Sequence, residues 1–272
     1  MNVRRDRGLL IGVAIVLAAA VVAMGAQWLA PYSPTQINIA ARLAGPSSAH
    51  LLGTDELGRD LLSRLMYGAR VSLGVASLSI ALAALLGVLA GGFAGLRRGV
   101  AETLVLRFTD VVLGFPAILI AIVLVAILGL SLTNVVIAIA VAYAPQFLRL
   151  TWASVLVLRE HSYVESARLS GRGTLFILFR HLVPNMLPEL MVQATLALGN
   201  AILVEATLSY LGLGVQPPLP SWGGMINAGQ QYISVAPSYT VFPGLAIALT
   251  VLGFNFLGDG LTRVLDPRRS HL

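Results

Sequence analysis

Apolar runs that are nearly free of charge alternate along this chain with short polar segments that hold most of its arginines. The longest apolar runs cover residues 9–30, 71–96, 111–148, 185–210 and 239–258. About 20 apolar residues in a helix cross the ~30 Å hydrocarbon core of a bilayer. The run 111–148 is long enough for two crossings, with Gly129, Ser131 and Asn134 at the turn. The pattern therefore predicts an all-α membrane protein with six transmembrane helices.

These spans divide the chain into four parts. Residues 1–30 hold the first arginines and the first span, and residues 31–70 form an external loop. Residues 71–262 form a five-helix core, and residues 263–272 form a tail. The core spans are predicted at about 71–96, 104–128, 132–152, 186–208 and 239–260, with an inner loop at 155–184 and an outer loop at 209–238.

The arginines set the orientation. All 18 basic residues are Arg, and with the N-terminus inside, only Arg42, Arg59, Arg64 and Arg70 fall in outer segments. Short loops rich in positive charge face the cytoplasm, so both termini are predicted to be cytoplasmic. The net charge of +6 therefore reflects topology. It does not indicate nucleic-acid binding, because the arginines are spread over several short loops.

The composition agrees with a membrane protein, since 57% of the residues are hydrophobic and 11% are charged. A soluble domain carries about 25% charged residues.

Arg4, Arg5 and Arg7 precede the first apolar run, as they would in a signal peptide. The run 9–30 exceeds the apolar length of about 7–15 residues that is usual in such peptides. We therefore expect an uncleaved anchor.

Residues 53–73, GTDELGRDLLSRLMYGARVSL, have the features of an amphipathic helix at the outer surface. Thr54 suits the N-cap, and Asp55 and Glu56 suit the first turn. The apolar side would consist of Leu57, Leu61, Leu62 and Leu65. The sequence leaves open whether this helix only anchors the chain at the interface or also docks an external partner.

A second outer segment, residues 209–233, is rich in Gly and Pro, which excludes a continuous helix. We expect it to fold against the outer mouth of the protein. Trp222 and Tyr232 are typical of the lipid–water boundary.

At the inner side, Asp110 follows Arg107 by about one helical turn, which predicts a local ion pair at the interface.

The span predicted at 186–208 carries a polar stripe. Glu189, Gln193, Asn200 and Thr207 share one helix face by their spacing. Gln193, Asn200 and Thr207 are candidates for lining a translocation path, because polar side chains in a span must face protein or water. Hydrogen bonding between helices is an equally good interpretation.

The inner loop 155–184 is predicted to form two short helices that project into the cytoplasm. Glycine allows positive φ, so Gly171 ends the first helix. Thr174 can cap a second helix over 175–183, which Pro184 ends or turns into the next span. This second helix is unusually apolar for an exposed element, which implies a contact. Packing on the protein's own spans and docking of a partner remain equally open.

Motifs for catalysis or nucleotide binding are missing from the sequence. It contains no P-loop, no HExxH and no GxSxG, and its four histidines lack metal-ligand spacing. The absence of cysteine excludes disulfides and thiolate metal sites. We therefore expect no enzymatic activity, no cofactor and no metal in this chain.

Several segments resemble the ATP-binding-cassette importer permeases of the dipeptide/oligopeptide/nickel family. The pattern E-x-A-x3-G from Glu165 to Gly171, followed by L-x-P at 182–184, resembles their EAA loop. Ser166 departs from the alanine that the name EAA implies. The segments LLGTDELGRDLLSRLMYGARVSL, TLSYLGLGVQPPLPSWGGMI and LDPR also resemble this family, in order along most of the chain. The chain looks like the second-permease type, the C subunit.

The resemblance implies a type I importer fold in the bacterial plasma (inner) membrane. It also implies a complex with a second homologous permease, two ATPase subunits that bind the ATP, and an external substrate-binding protein. The inner loop would be the coupling helix that docks in a groove of an ATPase. The residues expected at that contact are Glu165, Ala167, Gly171, Phe176, Phe179 and Pro184.

The function implied by the resemblance is import of di- or oligopeptides, with nickel or glutathione as alternatives on the same architecture. A stand-alone secondary transporter is a different hypothesis, and it would usually need an inverted repeat and ionisable residues in mid-span. The sequence has no clear repeat and almost no charge in mid-span. An intramembrane enzyme would need a nucleophile beside a base, and no such arrangement is recognisable in the spans.

Overall fold

The computed structural model describes residues 7–97 and 99–265. Its helices are α1 (Arg7–Leu29), α2 (Leu61–Leu96), α3 (Val100–Leu113), α4 (Ala117–Leu128), α5 (Leu132–Leu158), α6 (Ser162–Leu169), α7 (Thr174–Ile177), α8 (Val183–Tyr210), α9 (Trp222–Gly229) and α10 (Ser238–Leu265). A π-helical turn, Leu178–Leu182, joins α7 to α8, and 3₁₀ turns cover Ile39–Ala41 and Gln230–Tyr232. Arg4, Arg5, Arg98, Arg268 and Arg269 lie outside the described residues.

The described residues contain five helices that are long and apolar enough to cross a membrane, and a sixth span if the bent pair α3–α4 counts as one. This pair bends by 96°. The span predicted at 104–128 therefore corresponds to a bent pair of helices, and not to one straight helix. Gly114 and Pro116 lie at the bend. Proline lacks an N–H and disfavours helical backbone in the residue before it, so the helix stops there.

Helices α2 and α5 pack with their backbones in close approach. A Cβ at Gly91 would collide with the carbonyl oxygen of Leu148, and one at Gly95 would lie 2.7 Å from Cγ1 of Val155. Gly87 makes a similar approach to α5, so one glycine occurs on this face at every turn. Small residues permit such contacts, which drive helix association in lipid where apolar burial contributes little.

Helix α1 lies against α10 by the same means. A Cβ at Gly12 would lie 2.6 Å from the backbone nitrogen of Leu257, and one at Gly260 would lie 2.6 Å from Cβ of Leu9. The main buried core, in contrast, lies between α2, α5 and α8, and includes Phe147, Ile139 and Ile202. The first span is therefore attached to one side of the core.

The start of α2 contradicts the predicted amphipathic helix over 53–73. The helix begins only at Leu61, with Asp60 as its N-cap, and continues without interruption to Leu96. Thr54 and Asp55 are fully buried in the loop before it. Their side chains bond to neighbouring groups inside the protein, so they neither start a helix nor form an exposed polar face.

The outer loop after α8 folds back into the protein. Trp222, the first residue of α9, is buried, and its indole Nε1 donates to the carbonyl of Leu65 at 3.0 Å. Its backbone nitrogen donates to Oγ of Ser72 at 3.3 Å. Trp222 is therefore not at the lipid–water boundary, contrary to the prediction. The adjacent Gly223 touches the backbone of Ala206, which lets α9 lie directly on α8.

The inner loop also differs from the prediction in detail. The preceding span ends at Leu158, and α6 is a separate helix. The N-cap of α7 is Gly173, and Thr174 is the first helical residue. Pro184 neither ends nor turns the chain, because α7, the π-helical turn and α8 form one continuous element. The wider hydrogen-bond spacing of a π turn accommodates a proline that cannot donate.

Candidate functional site

The inner loop forms a projection at the end of the protein that the arginine distribution places in the cytoplasm. Helix α6 carries Glu165 and Ala167 on different sides: Glu165 is exposed, and Ala167 is buried against the protein. Gly171 has φ of +71°, which ends α6 in the left-handed conformation that the sequence predicts. The projection is thus a short helix, a tight turn and the start of α7.

Helix α7 and the following π-helical turn have two apolar faces. Ile177, Leu178 and Leu182 are buried in the main core. Phe176 is 43% exposed and Phe179 is 47% exposed, and Leu175 lies on the same outer surface. The interpretation as packing on the protein's own spans therefore holds for one face, and partner docking at the exposed face stays a prediction.

An aromatic and histidine cluster supports the base of the projection. The rings of Tyr163 and His161 are 5.6 Å apart, and those of Tyr163 and His181 are 6.1 Å apart. The ring of Phe176 lies edge-on to that of His181 at a centroid distance of 5.7 Å. The guanidinium of Arg172 lies over the Phe176 ring, 4.9 Å from its centroid. These contacts hold α6 beside the start of α8, with Pro184 exposed nearby.

A cavity of about 500 Å³ lies between the projection and the end of α2. It is lined by Leu96, Arg159, Glu160, Glu165 and Arg168. Nη1 of Arg159 donates to the carbonyl of Gly95, which ties the start of the projection to the end of α2. The exposed carboxylate of Glu165 therefore stands at the edge of a cavity walled by both signs of charge.

Asp110 pairs with a different arginine from the one predicted. Its Oδ1 lies 3.4 Å from Nη1 of Arg149 on α5, and the pair with Arg107 is absent from the described ion pairs. The bend after α3 turns this helix across α5, where Glu102 also accepts from Nε1 of Trp152 at 2.9 Å. Both members of the pair are about half exposed, so it adds little stability.

The polar stripe on α8 divides between helix contacts and an open face. Oε2 of Glu189 accepts from Oγ of Ser154 at 2.7 Å, and Nε2 of Gln193 donates to Oε1 of Gln146 at 2.9 Å, both across to α5. Asn200 and Thr207 are exposed. The stripe therefore bonds to α5 in its inner half and faces outward in its outer half.

A buried charged cluster at the outer side was missed by the sequence analysis. Oδ2 of Asp55 lies 2.6 Å from Nε of Arg59 and 3.2 Å from Nε of Arg64, and all three side chains are buried. Arg64 also donates to the carbonyl of Pro34 at 3.0 Å. The cluster thus ties the outer loop to the start of α2. The density of charged residues in this segment indicates that they form ion pairs. The sequence pattern alone does not reveal that these ion pairs are buried.

Glu205 is a second feature that the sequence analysis did not assign. Its side chain is fully buried, and Oε1 accepts from Oγ of Ser209 at 2.8 Å. The same hydroxyl accepts from the backbone nitrogen of Val215 at 3.3 Å, and Ser72 on α2 faces the carboxyl group. Glu205 therefore lies where α2, α8 and the outer loop meet, and a glutamate far inside an apolar run is the signal that could have identified it.

Two family descriptions match the chain. Residues 62–271 match "Binding-protein-dependent transport system inner membrane component". Residues 2–46 match "N-terminal TM domain of oligopeptide transport permease C".

Named relatives align over nearly the whole chain. A glutathione transport system permease protein of Pectobacterium atrosepticum is 44% identical over 93% of this chain and 84% of its own length. A dipeptide transport system permease protein of Alkalihalophilus pseudofirmus is 42% identical over 98% of this chain and 88% of its own. A di/tripeptide transport system permease protein of Pseudomonas aeruginosa is 44% identical over 97% of this chain and 89% of its own length.

A solved structure shares the fold. It is described as an inward facing conformation of the MetNI methionine ABC transporter, and the matching chain has a TM-score of 0.58 and 20% identity. The match covers 76% of this chain and 96% of that chain. At this identity the likeness concerns the fold alone.

Proposed function

This chain belongs to the family of binding-protein-dependent transport system inner membrane components, and we propose that it forms the translocation path for di- and oligopeptides together with a second, homologous permease. It is a multi-pass inner-membrane permease subunit of an ATP-binding-cassette importer with the type I fold. Such a subunit is non-catalytic, and membership implies ATPase and substrate-binding protein partners.

The peptide substrate is supported chiefly by the named relatives. Those of Alkalihalophilus pseudofirmus and Pseudomonas aeruginosa are dipeptide and di/tripeptide permeases, and they align with more than nine-tenths of this chain. The glutathione permease of Pectobacterium atrosepticum is equally similar, so glutathione, itself a tripeptide, is the second candidate cargo. Both candidates are small, polar and amide-bonded.

The projection is proposed as the site where an ATPase docks. Glu165 would pair with a basic group of the ATPase, since its carboxylate is exposed at the edge of the inner cavity. Phe176 and Phe179 would fill an apolar groove in the partner, because close to half of each side chain is exposed. Gly171 would supply the turn between the two contacts, with Ala167 and Pro184 supporting it.

Transport would follow from the attachment of this projection to the spans. Because α7 continues into α8 and its buried face packs in the core, displacement of the projection by the ATPase would move α8 together with the end of α2. ATP binding can shift the protein between two states only if the ATPase favours one position of the projection. Gln193, Asn200 and Thr207 would line the path, which their polar and partly exposed positions on α8 support.

The test uses the complete complex in cells that lack other peptide importers. Glu165→Lys reverses one exposed charge and leaves the core untouched, so we expect normal insertion but loss of ATPase co-purification and of peptide uptake. Gly171→Asp should act in the same way. Normal uptake by both variants would contradict the docking role, and failure of the wild-type complex to import any peptide would contradict the proposed cargo.

A further inference from the structure

A cavity of about 450 Å³ lies at the inner ends of α5, α8 and α10. Its wall includes Leu150, Glu189, Gln193 and Thr262, and Leu265 closes one side. Three different helices contribute to it, and the polar stripe of α8 enters it through Glu189 and Gln193. On the proposed function, it is the point at which the path would open toward the cytoplasm.

Glu189 carries a negative charge into this cavity, and no ion pair within the described residues includes it. Its carboxylate is exposed and accepts one hydrogen bond, from Ser154. Across residues 7–97 and 99–265, no arginine lies within ion-pair distance of it. An ionisable residue in an apolar helix faces water or a charged ligand, since lipid would not solvate it.

The groups beside Glu189 define what it would bind. The neighbouring wall contributes the amide of Gln193 and the hydroxyl of Thr262, which are uncharged. No cluster of three or more metal-binding side chains occurs in the described part of the chain, so a divalent metal would lack ligands. One carboxylate with hydrogen-bonding neighbours suits a primary ammonium group, which donates in three directions.

We infer that Glu189 forms a cation-selective subsite, which holds an ammonium group of the cargo and disfavours anionic cargo as it leaves toward the cytoplasm. This inference rests on the proposed function, because peptides supply such ammonium groups at the N-terminus and on lysine. The carboxylate is hydrated, so the attraction is weak. Weak attraction suits a transport path, because the cargo must also dissociate.

The experiment compares the uptake of two tripeptides whose central side chains carry opposite charges, Ala-Lys-Ala and Ala-Glu-Ala, by cells with the complete complex. Both peptides are supplied at concentrations that saturate the binding protein, so that passage through the membrane determines the ratio of rates. Glu189→Gln should lower the lysine-to-glutamate ratio by about threefold to tenfold. Glu189→Arg should lower it further, and Glu189→Asp should preserve it.

The matched control is Glu102→Gln, which removes a carboxylate that bonds to Trp152 on α5 and does not line the cavity. It should leave the ratio unchanged. Equal slowing of both peptides by Glu189→Gln, with no change in ratio, would overturn the inference. Loss of the ATPase from the Glu189→Gln complex would overturn it too, since the carboxylate would then serve docking. If the wild type imports neither peptide, the proposed function fails instead.

Discussion

Leu178 packs directly against Gly92, so that a Cβ at position 92 would lie 2.5 Å from Cδ1 of the leucine. Leu178 belongs to the π-helical turn of the inner loop, and Gly92 lies in the last part of α2. The contact joins the proposed docking projection to α2, a span of 36 residues. A force on the projection would therefore act on α2 as well as along α8.

Leu178→Ala should weaken this connection. The side chain is buried, and removing it leaves a cavity that costs about 2–5 kcal/mol in a well-packed site. We expect the variant complex to hydrolyse ATP with reduced peptide uptake per ATP, because the projection would move without displacing α2. Phe179→Ala removes an exposed neighbour instead. It should reduce ATPase co-purification, so an identical phenotype in both variants would contradict the division into two faces.

Gly91→Val should destabilise the pair α2–α5. Its Cβ would collide with backbone at Leu148, which cannot move aside as a flexible side chain can. Overpacking of this kind costs about 1–3 kcal/mol. The loss should appear as a lower thermal midpoint of the purified complex in detergent. Gly74→Val on the same helix is the control, because the space around Gly74 is open. Equal midpoints for the two variants would refute this packing.

Arg59→Ala should destabilise the outer loop. The substitution removes the buried ion pair between Arg59 and Asp55 and leaves Asp55 with Arg64 alone. Breaking a buried ion pair lowers the free energy of unfolding by about 3–5 kcal/mol. We expect faster cleavage of the segment 31–60 by an external protease in intact cells or spheroplasts. Arg42→Ala removes an exposed arginine from the same segment and should leave the cleavage rate unchanged. Protection that persists in Arg59→Ala would argue against the cluster as the main attachment.

Gly171→Ala should disturb the turn of the projection, since φ of +71° costs a residue with a Cβ about 1–2 kcal/mol. Gly173→Ala is the matched control, because Gly173 has φ of −67° and both glycines face open space. We expect weaker ATPase co-purification for Gly171→Ala alone. Gly171→Asn should retain most of the binding, because asparagine tolerates left-handed backbone. Equal loss in both alanine variants would show that bulk, and not backbone angle, matters there.

The spans and the turn at Gly171 could be predicted because they depend on local properties. An apolar run must be helical in lipid, and a glycine at the end of a helix permits positive φ whatever lies around it. The stripe on α8 followed in the same way from helical periodicity, and the structure shows that it divides between bonds to α5 and an exposed face. Its role in the path stays a prediction.

The failures share a different cause. Proximity in sequence predicts Arg107 as the partner of Asp110, but the bend at Gly114 and Pro116 accompanies a pair with Arg149 of another helix. The sequence pattern predicts surface positions for Asp55 and Trp222, and both are buried. The side chain of each bonds to a group from a distant part of the chain or from the folded outer loop. Residue type alone contains no information about such bonding partners.

The sequence by itself determined the class of the protein, its orientation and the place of the inner projection, because hydropathy, arginine distribution and glycine act through the solvent and the local backbone. Only the tertiary structure decided which face of the projection is buried, which charges are inside, and that Glu189 opens into a cavity between three helices. These depend on contacts between residues far apart in the chain, and close packing determines them only once all the helices are in place.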